Sequence, residues 1–345
     1  MRGFAILLVV FYHNFGFTHY FFFGWLGVDL FFVLSGFLIT NILLKTLHSP
    51  DFLRRFYVRR ALRIFPVYYL ALFIFLIIFP LIDFNLSDLT YFLNNQVWLW
   101  TFLQNWLYIF KPPEDNLLLT HLWSLAVEEQ FYLIWPFVIL IVKKPKVLFF
   151  IMLTLLLLVI GVRYVVWIYN LENFSYFNLY TFSRIDGICL GSMLALFRSF
   201  NKDNLKKLTP IIVFVLAGFN FLFYFFNEKT QFTLPFLAII GYTTFAVLFA
   251  LLVNEGVEKD SKIINFIFNN RILKSFGKIS YGLYVFHWPI HLILLPFFLK
   301  WFSGFFDNQI FLLAISSSAT TFISILISTC SFYFYERIFM RLKKS

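Results

Sequence analysis

The side chains of this chain that could do chemistry lie in strongly apolar surroundings. Residues 121–136 read His-Leu-Trp-Ser-Leu-Ala-Val-Glu-Glu-Gln-Phe-Tyr-Leu-Ile-Trp-Pro and open an apolar run that continues to Val142. At 3.6 residues per turn Ser124, Glu128, Tyr132 and Trp135 fall on one stripe, with Glu129 about 100° away. An ionised group at mid-membrane costs at least ~2.5 kcal/mol, so Glu128 needs either a bundle partner or a function. Near the N-terminus Arg2 and His13 are eleven residues apart, three turns to within about 20°, and share a helical face. An imidazole suits the work of a general base toward a hydroxyl, and a carboxylate beside it would orient it. From helical rise, His13 stands about 16 Å from the inner end of its helix. Glu128, entering from the other side, stands ~20 Å above the inner boundary of a ~30 Å core. The two are expected to meet near mid-membrane.

Other groups would supply binding. Arg54, Arg55, Arg59, Arg60 and Arg63 come within ten residues. Positive-inside topology accounts for one or two of them. On a helix Arg55, Arg59 and Arg63 line one face, and guanidinium forks suit a polyphosphate. Anionic lipid headgroups compete for the same charges. In Ser183-Arg184-Ile185-Asp186-Gly187, Arg184 and Asp186 either neutralise each other or face an acceptor. Gly187, Gly191 and Ala195 form a small-residue packing face. Asp29 shares a face with Gly36 and Thr40 and reads equally as a solvated or capping carboxylate and as a site residue. Further on, Ser280, Tyr284, His287 and His291 lie on one stripe, where Pro289 loosens the hydrogen-bond ladder. A His pair at i, i+4 can hold zinc, but no clear third ligand follows, so no metal is expected.

The elements that position these groups are membrane helices. Of 345 residues 61% are hydrophobic and only 13% charged, against roughly 25% charged in soluble domains. Two cysteines, Cys189 and Cys330, fall inside predicted spans and make no disulfide framework. The 53 Phe residues of the chain fit lipid-facing helices rather than a cofactor site. The net charge of +11 does not mark a nucleic-acid surface, because it gathers in short loops. Hydropathy places ten spans near 3–18, 26–44, 63–82, 122–142, 147–168, 181–198, 209–226, 233–253, 279–299 and 309–335. With the N-terminus in the cytoplasm, 23 of the 28 Lys and Arg residues fall on the cytoplasmic side. Only Lys111, Lys229 and Lys300 fall opposite, and Arg163 and Arg184 sit inside spans. The expected fold is therefore an all-α integral membrane protein, a single domain over 1–345, with about ten transmembrane helices and both termini cytoplasmic. Val97–Phe110 is too short to span and reads as an interfacial or re-entrant helix anchored by Trp98, Trp100 and Trp106. No cleavable signal peptide is visible.

Trp-Ser-Leu-Ala-Val-Glu-Glu-Gln-Phe-Tyr-Leu at 123–133 resembles the central signature of the membrane-bound acyltransferase-3 family. Further landmarks follow in the family's order: Arg2-Gly3 through His13, Gly24 to Thr40, Arg59 to Pro66, Phe102 to Trp106, Arg184 to Gly191, and Gly277 to Pro289. The resemblance implies a bacterial cytoplasmic-membrane enzyme that takes an acyl group, most often acetyl, from cytoplasmic acyl-CoA to a hydroxyl of a cell-envelope glycan or glycolipid. It implies His13 and Glu128 as catalytic, and Arg2, Arg59, Arg60 and Arg63 as acyl-CoA-binding. Ser124, Tyr132, Arg184, Asp186, Tyr284 and His287 are left as acceptor or supporting groups. Implied partners are membrane lipids, acyl-CoA as donor substrate with no permanent cofactor, and a glycan acceptor. No hydrolase-like domain is expected after the last span, so a separate extracytoplasmic transferase is the expected means of completing the reaction if this chain does not. A secondary transporter of a small anionic metabolite is the competing reading, since midplane charges suit it, but inverted repeats are not visible.

Overall fold

The computed structural model describes residues 1–82, 89–113, 117–169, 181–201, 205–230, 241–258 and 262–342, and among them all regular structure is helical. The main helices are α1 (Arg2–Phe15), α2 (Leu26–Thr46), α3 (Phe52–Phe73), α4 (Trp123–Val142), α5 (Pro145–Ile168), α6 (Asp186–Phe200), α7 (Leu205–Thr230), α8 (Tyr242–Glu258), α9 (Arg271–Phe302) and α10 (Gln309–Cys330). Six helical stretches among the described residues are long and apolar enough to cross a membrane: His19–Thr46, Phe52–Leu81, Thr120–Val142, Pro145–Val166, Arg271–Phe302 and Gln309–Arg341. The chain is a multi-pass membrane protein. Pro66, Pro136, Pro289 and Pro296 all lie inside helices, as bundles allow where neighbours satisfy the freed backbone groups.

The other expected spans come out shorter or shifted. α1 has 14 residues and α6 has 15, about 21 to 23 Å, less than a ~30 Å core. The stretch expected over 181–198 breaks at Ile185, between a single turn Thr181–Arg184 and α6. That expected over 233–253 is described only from Gly241 onward, with α8 starting at Tyr242 and the first part lying outside the described residues. Only Ile211–Leu222 of α7 counts as a shorter apolar helix. α9, in contrast, extends to 32 residues, because its polar first turns continue the helix beyond the apolar run that hydropathy isolates.

The segment expected as one helix near 97–110 is two, Gln96–Trp100 and Gln104–Phe110. Phe102 breaks it with a left-handed φ of 56°. Its ring is buried and stacks on Tyr68 at 4.1 Å, which offsets a backbone cost of about 1–2 kcal/mol. The break aims Gln104 and Asn105 inward, where both are fully buried. Gln104 donates to the Leu122 carbonyl (2.8 Å), and Gln130 of α4 donates to both the Asn105 side chain and the Phe102 carbonyl (2.9 Å each). The segment thus braces the start of α4.

Close helix crossings set the rest. A Cβ on Gly36 of α2 would collide with the Ile188 carbonyl of α6, and one on Gly191 with the Val33 carbonyl. The small-residue face expected on α6 is where it meets α2. Likewise Gly3 lets α1 approach the Leu273 carbonyl of α9. Trp135 of α4 donates to Thr40 of α2 at 2.9 Å. The main buried cluster, including Ile6, Tyr68, Leu122, Tyr132, Trp135 and Leu283, lies among α1, α2, α3, α4 and α9 and reaches α5 and α6.

Candidate active site

The stripe read on α4 turns inward. Glu128 accepts from Ser35 of α2 through Oε1 (2.7 Å) and from Tyr132 through Oε2 (3.0 Å). The Arg60 guanidinium lies 3.5 Å from Glu128 Oε2 and 3.5 Å from Glu129 Oε1, with its plane 3.6 Å over the Tyr132 ring. One arginine therefore holds two carboxylates that sequence alone left without a common partner. These groups border a cavity of about 70 Å³ lined by Arg2, Ser35, Arg60, Arg63, Ser124, Glu128, Ser280, Tyr281 and Tyr284, with Val28, Phe31 and Phe32 as apolar wall. A larger groove of about 540 Å³, between α3 and Tyr335 and Phe339, has no charged side chain in its lining.

The arginine face differs from the one expected. Arg60 and Arg63, three apart, line the cavity with Arg2, whereas Arg55 and Arg59 are exposed. Spacing at i, i+4 groups Arg63 with Arg55 and Arg59 but carries no information on which side of α3 meets α9. Tyr281 of α9 donates to the Ile64 carbonyl at 3.1 Å and marks the packed side.

One turn from Glu128, the Ser124 hydroxyl lies 2.5 Å from the Tyr284 hydroxyl, which donates to the His121 carbonyl at 2.8 Å. Pro289 has no N–H for the Val285 carbonyl one turn earlier. His121 Nε2 takes that place at 3.2 Å. His121 is buried and its ring lies 5.3 Å from that of His287. His287 is fully buried and its Nε2 lies 3.0 Å from His13 Nδ1. The stripe from Ser280 to His291 thus runs from the arginine-lined cavity to a cluster of imidazoles. His291 Nδ1 lies 2.9 Å from the Thr320 hydroxyl of α10. Among the described residues no group of three or more His, Cys, Asp or Glu could hold a metal ion.

His13 and Glu128 are not joined. The hydrogen bonds of Glu128 go to Ser35, Arg60 and Tyr132, and that of His13 goes to His287. Helical rise places the two at one depth only if both helix ends meet one inner boundary. Arg2, at the foot of α1, instead lines the same cavity as Glu128, so Glu128 stands nearer the foot of α1 than its His13 end. His121 and Ser35 join the site from outside the expected set. The sequence signal for His121 was its place at the head of the α4 signature, one turn before Ser124. Ser35 carried no such signal.

Arg184 and Asp186 do not neutralise each other. Arg184 pairs with Asp29 at 2.8 Å, and Arg163 of α5 pairs with Asp186 at 2.7 Å. Arg163 also donates to the Ser183 carbonyl and to Thr243, Thr243 donates to Asp186, and Arg184 lies 4.1 Å over the Tyr242 ring. Asp29 is neither solvated nor a cap; it is 1% exposed.

A multi-pass helical bundle with an arginine-lined carboxylate cavity connected to buried imidazoles is the class of protein that this fold and site define. The chain belongs to the acyltransferase-3 family, whose model, an acyltransferase domain, matches residues 1–330. It is similar to the peptidoglycan O-acetyltransferase OatA of Listeria monocytogenes, 31% identical over 323 residues that cover 86% of this chain and 49% of the relative. YrhL of Bacillus subtilis is 31% identical over 319 residues, 86% of this chain and 48% of that protein. The chain spans about half the length of these curated relatives. No solved structure matches it.

Proposed function

We propose that this chain is the membrane-embedded part of an O-acetylation reaction, taking acetyl from cytoplasmic acetyl-CoA to a hydroxyl of a cell-envelope glycan. The observation that carries the reading is the path of polar side chains from Arg2, Arg60 and Arg63 past Glu128, Ser124 and Tyr284 to His287 and His13, in a chain of this family. The name of the Listeria relative supports a glycan acceptor and acetyl as the acyl group. In this reading ten helices cross the bacterial cytoplasmic membrane and both termini are cytoplasmic, in line with the loop-charge split.

The residues then divide the work. Arg2, Arg60 and Arg63 hold the anionic end of the donor by charge-assisted bonds, and Arg59 adds long-range attraction from the surface. Glu128 keeps Arg60 in place rather than orienting His13. His13 takes the proton of the acceptor hydroxyl as its oxygen attacks the thioester carbonyl. The C–S bond breaks, the CoA thiolate leaves, and the proton from His13 yields the free thiol. Arg184 and Asp186 support the bundle.

The test is acetyl transfer from labelled acetyl-CoA by the purified chain in lipid vesicles, with peptidoglycan fragments inside or outside. Base-labile label on the glycan is the expected result. Transfer by the chain alone would make a separate extracytoplasmic transferase unnecessary. Bound acetyl-CoA that is neither hydrolysed nor transferred, even with cell extract added, would refute the enzyme reading. A C-terminal reporter found outside the cell would refute the topology.

A further inference from the structure

We infer that His287 is a positioning residue that fixes His13 as its Nδ1–H tautomer and leaves Nε2 of His13 with a free lone pair, a neutral imidazole doing what a carboxylate does in other base–orienter pairs. This rests on the reading of His13 as the base.

The hydrogen bonds decide the protons in sequence. His287 Nδ1 lies 3.0 Å from the Leu283 carbonyl and 2.8 Å from the Tyr284 carbonyl. Carbonyl oxygens only accept, so His287 Nδ1 carries hydrogen. His287 is fully buried, and the titratable rings around it are those of His13, His121, Tyr284 and His291. None of its hydrogen bonds goes to a carboxylate. A charge there would have no counter-ion, so the ring is neutral. Its Nε2 is then a lone pair directed at His13 Nδ1, 3.0 Å away. Two lone pairs do not face each other at that distance, so His13 Nδ1 supplies the hydrogen. Nδ1 is thus the ring nitrogen of His13 that carries hydrogen, held by the His287 lone pair.

The consequence is an asymmetric pair. His287 is sealed and has both nitrogens engaged. His13 is only half-buried, and Nε2 is the nitrogen left to meet a hydroxyl. The Trp288 ring stands 5.0 Å from the His13 ring and is itself held by Nε1 donating to the Leu117 carbonyl at 3.2 Å. The sequence order Tyr284, His287, Trp288, Pro289 therefore places, on one turn of α9, the two rings against His13 and the proline whose missing N–H seats His121.

The experiment reads the tautomer and the rate separately. A Gln amide ends where His Nε2 stands and can accept from His13, whereas an Asn amide ends where Nδ1 stands and cannot reach it. Nitrogen-15 NMR of histidine-labelled full chain in nanodiscs, with His13 assigned from the spectrum of His13→Ala, should show Nδ1–H on His13 in the parent and in His287→Gln. His287→Asn should shift His13 toward Nε2–H. Its kcat for acetyl transfer should fall about 10²-fold, the scale of general-base assistance, with KM for acetyl-CoA unchanged. His287→Gln should recover most of the loss. Nε2–H on His13 in the parent, or equal rates and spectra for Gln and Asn variants, would overturn the inference. If the tautomer follows His287 while turnover stays at the parent level, the base assignment of His13 is the part that falls.

Discussion

Two sets of opposite charges lie in this bundle, and they are built differently. In the first, Arg163 with Asp186 and Arg184 with Asp29 are 0–3% exposed and pair at 2.7 and 2.8 Å. In the second, Arg60 stands 3.5 Å from both Glu128 and Glu129, all three are 12–13% exposed, and Arg60 and Glu128 border a cavity. The first set joins α2, α5, α6 and α8 with short contacts, and none of its members lines the cavity. The second has longer contacts and leaves room beside it, in the cavity that Arg60 and Glu128 border. A sealed neutral quartet acts as a clamp, and a looser trio beside a cavity is available for a ligand. Charge type does not separate them; distance and adjacent space do.

The comparison breaks most visibly at the clamp. Asp186→Ala leaves Arg163 buried and unpaired, at a cost of about 3–5 kcal/mol. Monodisperse protein in detergent should fall sharply and the thermal midpoint with it, whereas normal yield would mean that the quartet is not a clamp. His13→Ala should do the reverse. Acetyl transfer falls by about 10²–10⁴-fold, while the thermal midpoint and acetyl-CoA binding stay near the parent, both measurable on one preparation.

Glu128→Gln sharpens the difference at smaller scale. The amide keeps the Ser35 contact and loses the charge facing Arg60, so acetyl-CoA affinity and rate should drop about tenfold, with folding lost by no more than ~1 kcal/mol, the scale of a partly exposed pair. Smallest are the arginines of α3. Arg63→Ala should weaken acetyl-CoA binding clearly, and Arg59→Ala by a few-fold only at low salt, since its charge is exposed and screened. Equal losses for the two at all salt concentrations would mean that the cavity is not the donor site.

Much of this was legible in the linear chain. Apolar runs and loop charges marked a helical membrane protein, because the bilayer restricts backbone to closed hydrogen bonding. Periodicity placed Ser124, Glu128 and Tyr132 on one stripe and Tyr284, His287 and His291 on another, since 3.6 residues per turn needs no tertiary information. The small-residue face of α6 was readable for the same reason. The break at Phe102 was not, because a left-handed Phe is held by Tyr68 and Phe65, which lie more than thirty residues away in sequence.

What sequence could not settle is which stripes face each other. Rise per residue gives position along a helix, but the relative height and rotation of two helices come from how their side chains and small residues pack. Gly3 against α9 and Gly36 against α6 set those offsets. They give His13 to His287 instead of Glu128, Glu128 to Arg60 and Ser35, and Arg184 to Asp29 instead of its near neighbour Asp186. The residue types and their spacing were determined by the sequence itself. Their partners were decided only in three dimensions, because a buried ionisable group takes the nearest complementary atom that packing brings to it, whatever its distance along the chain.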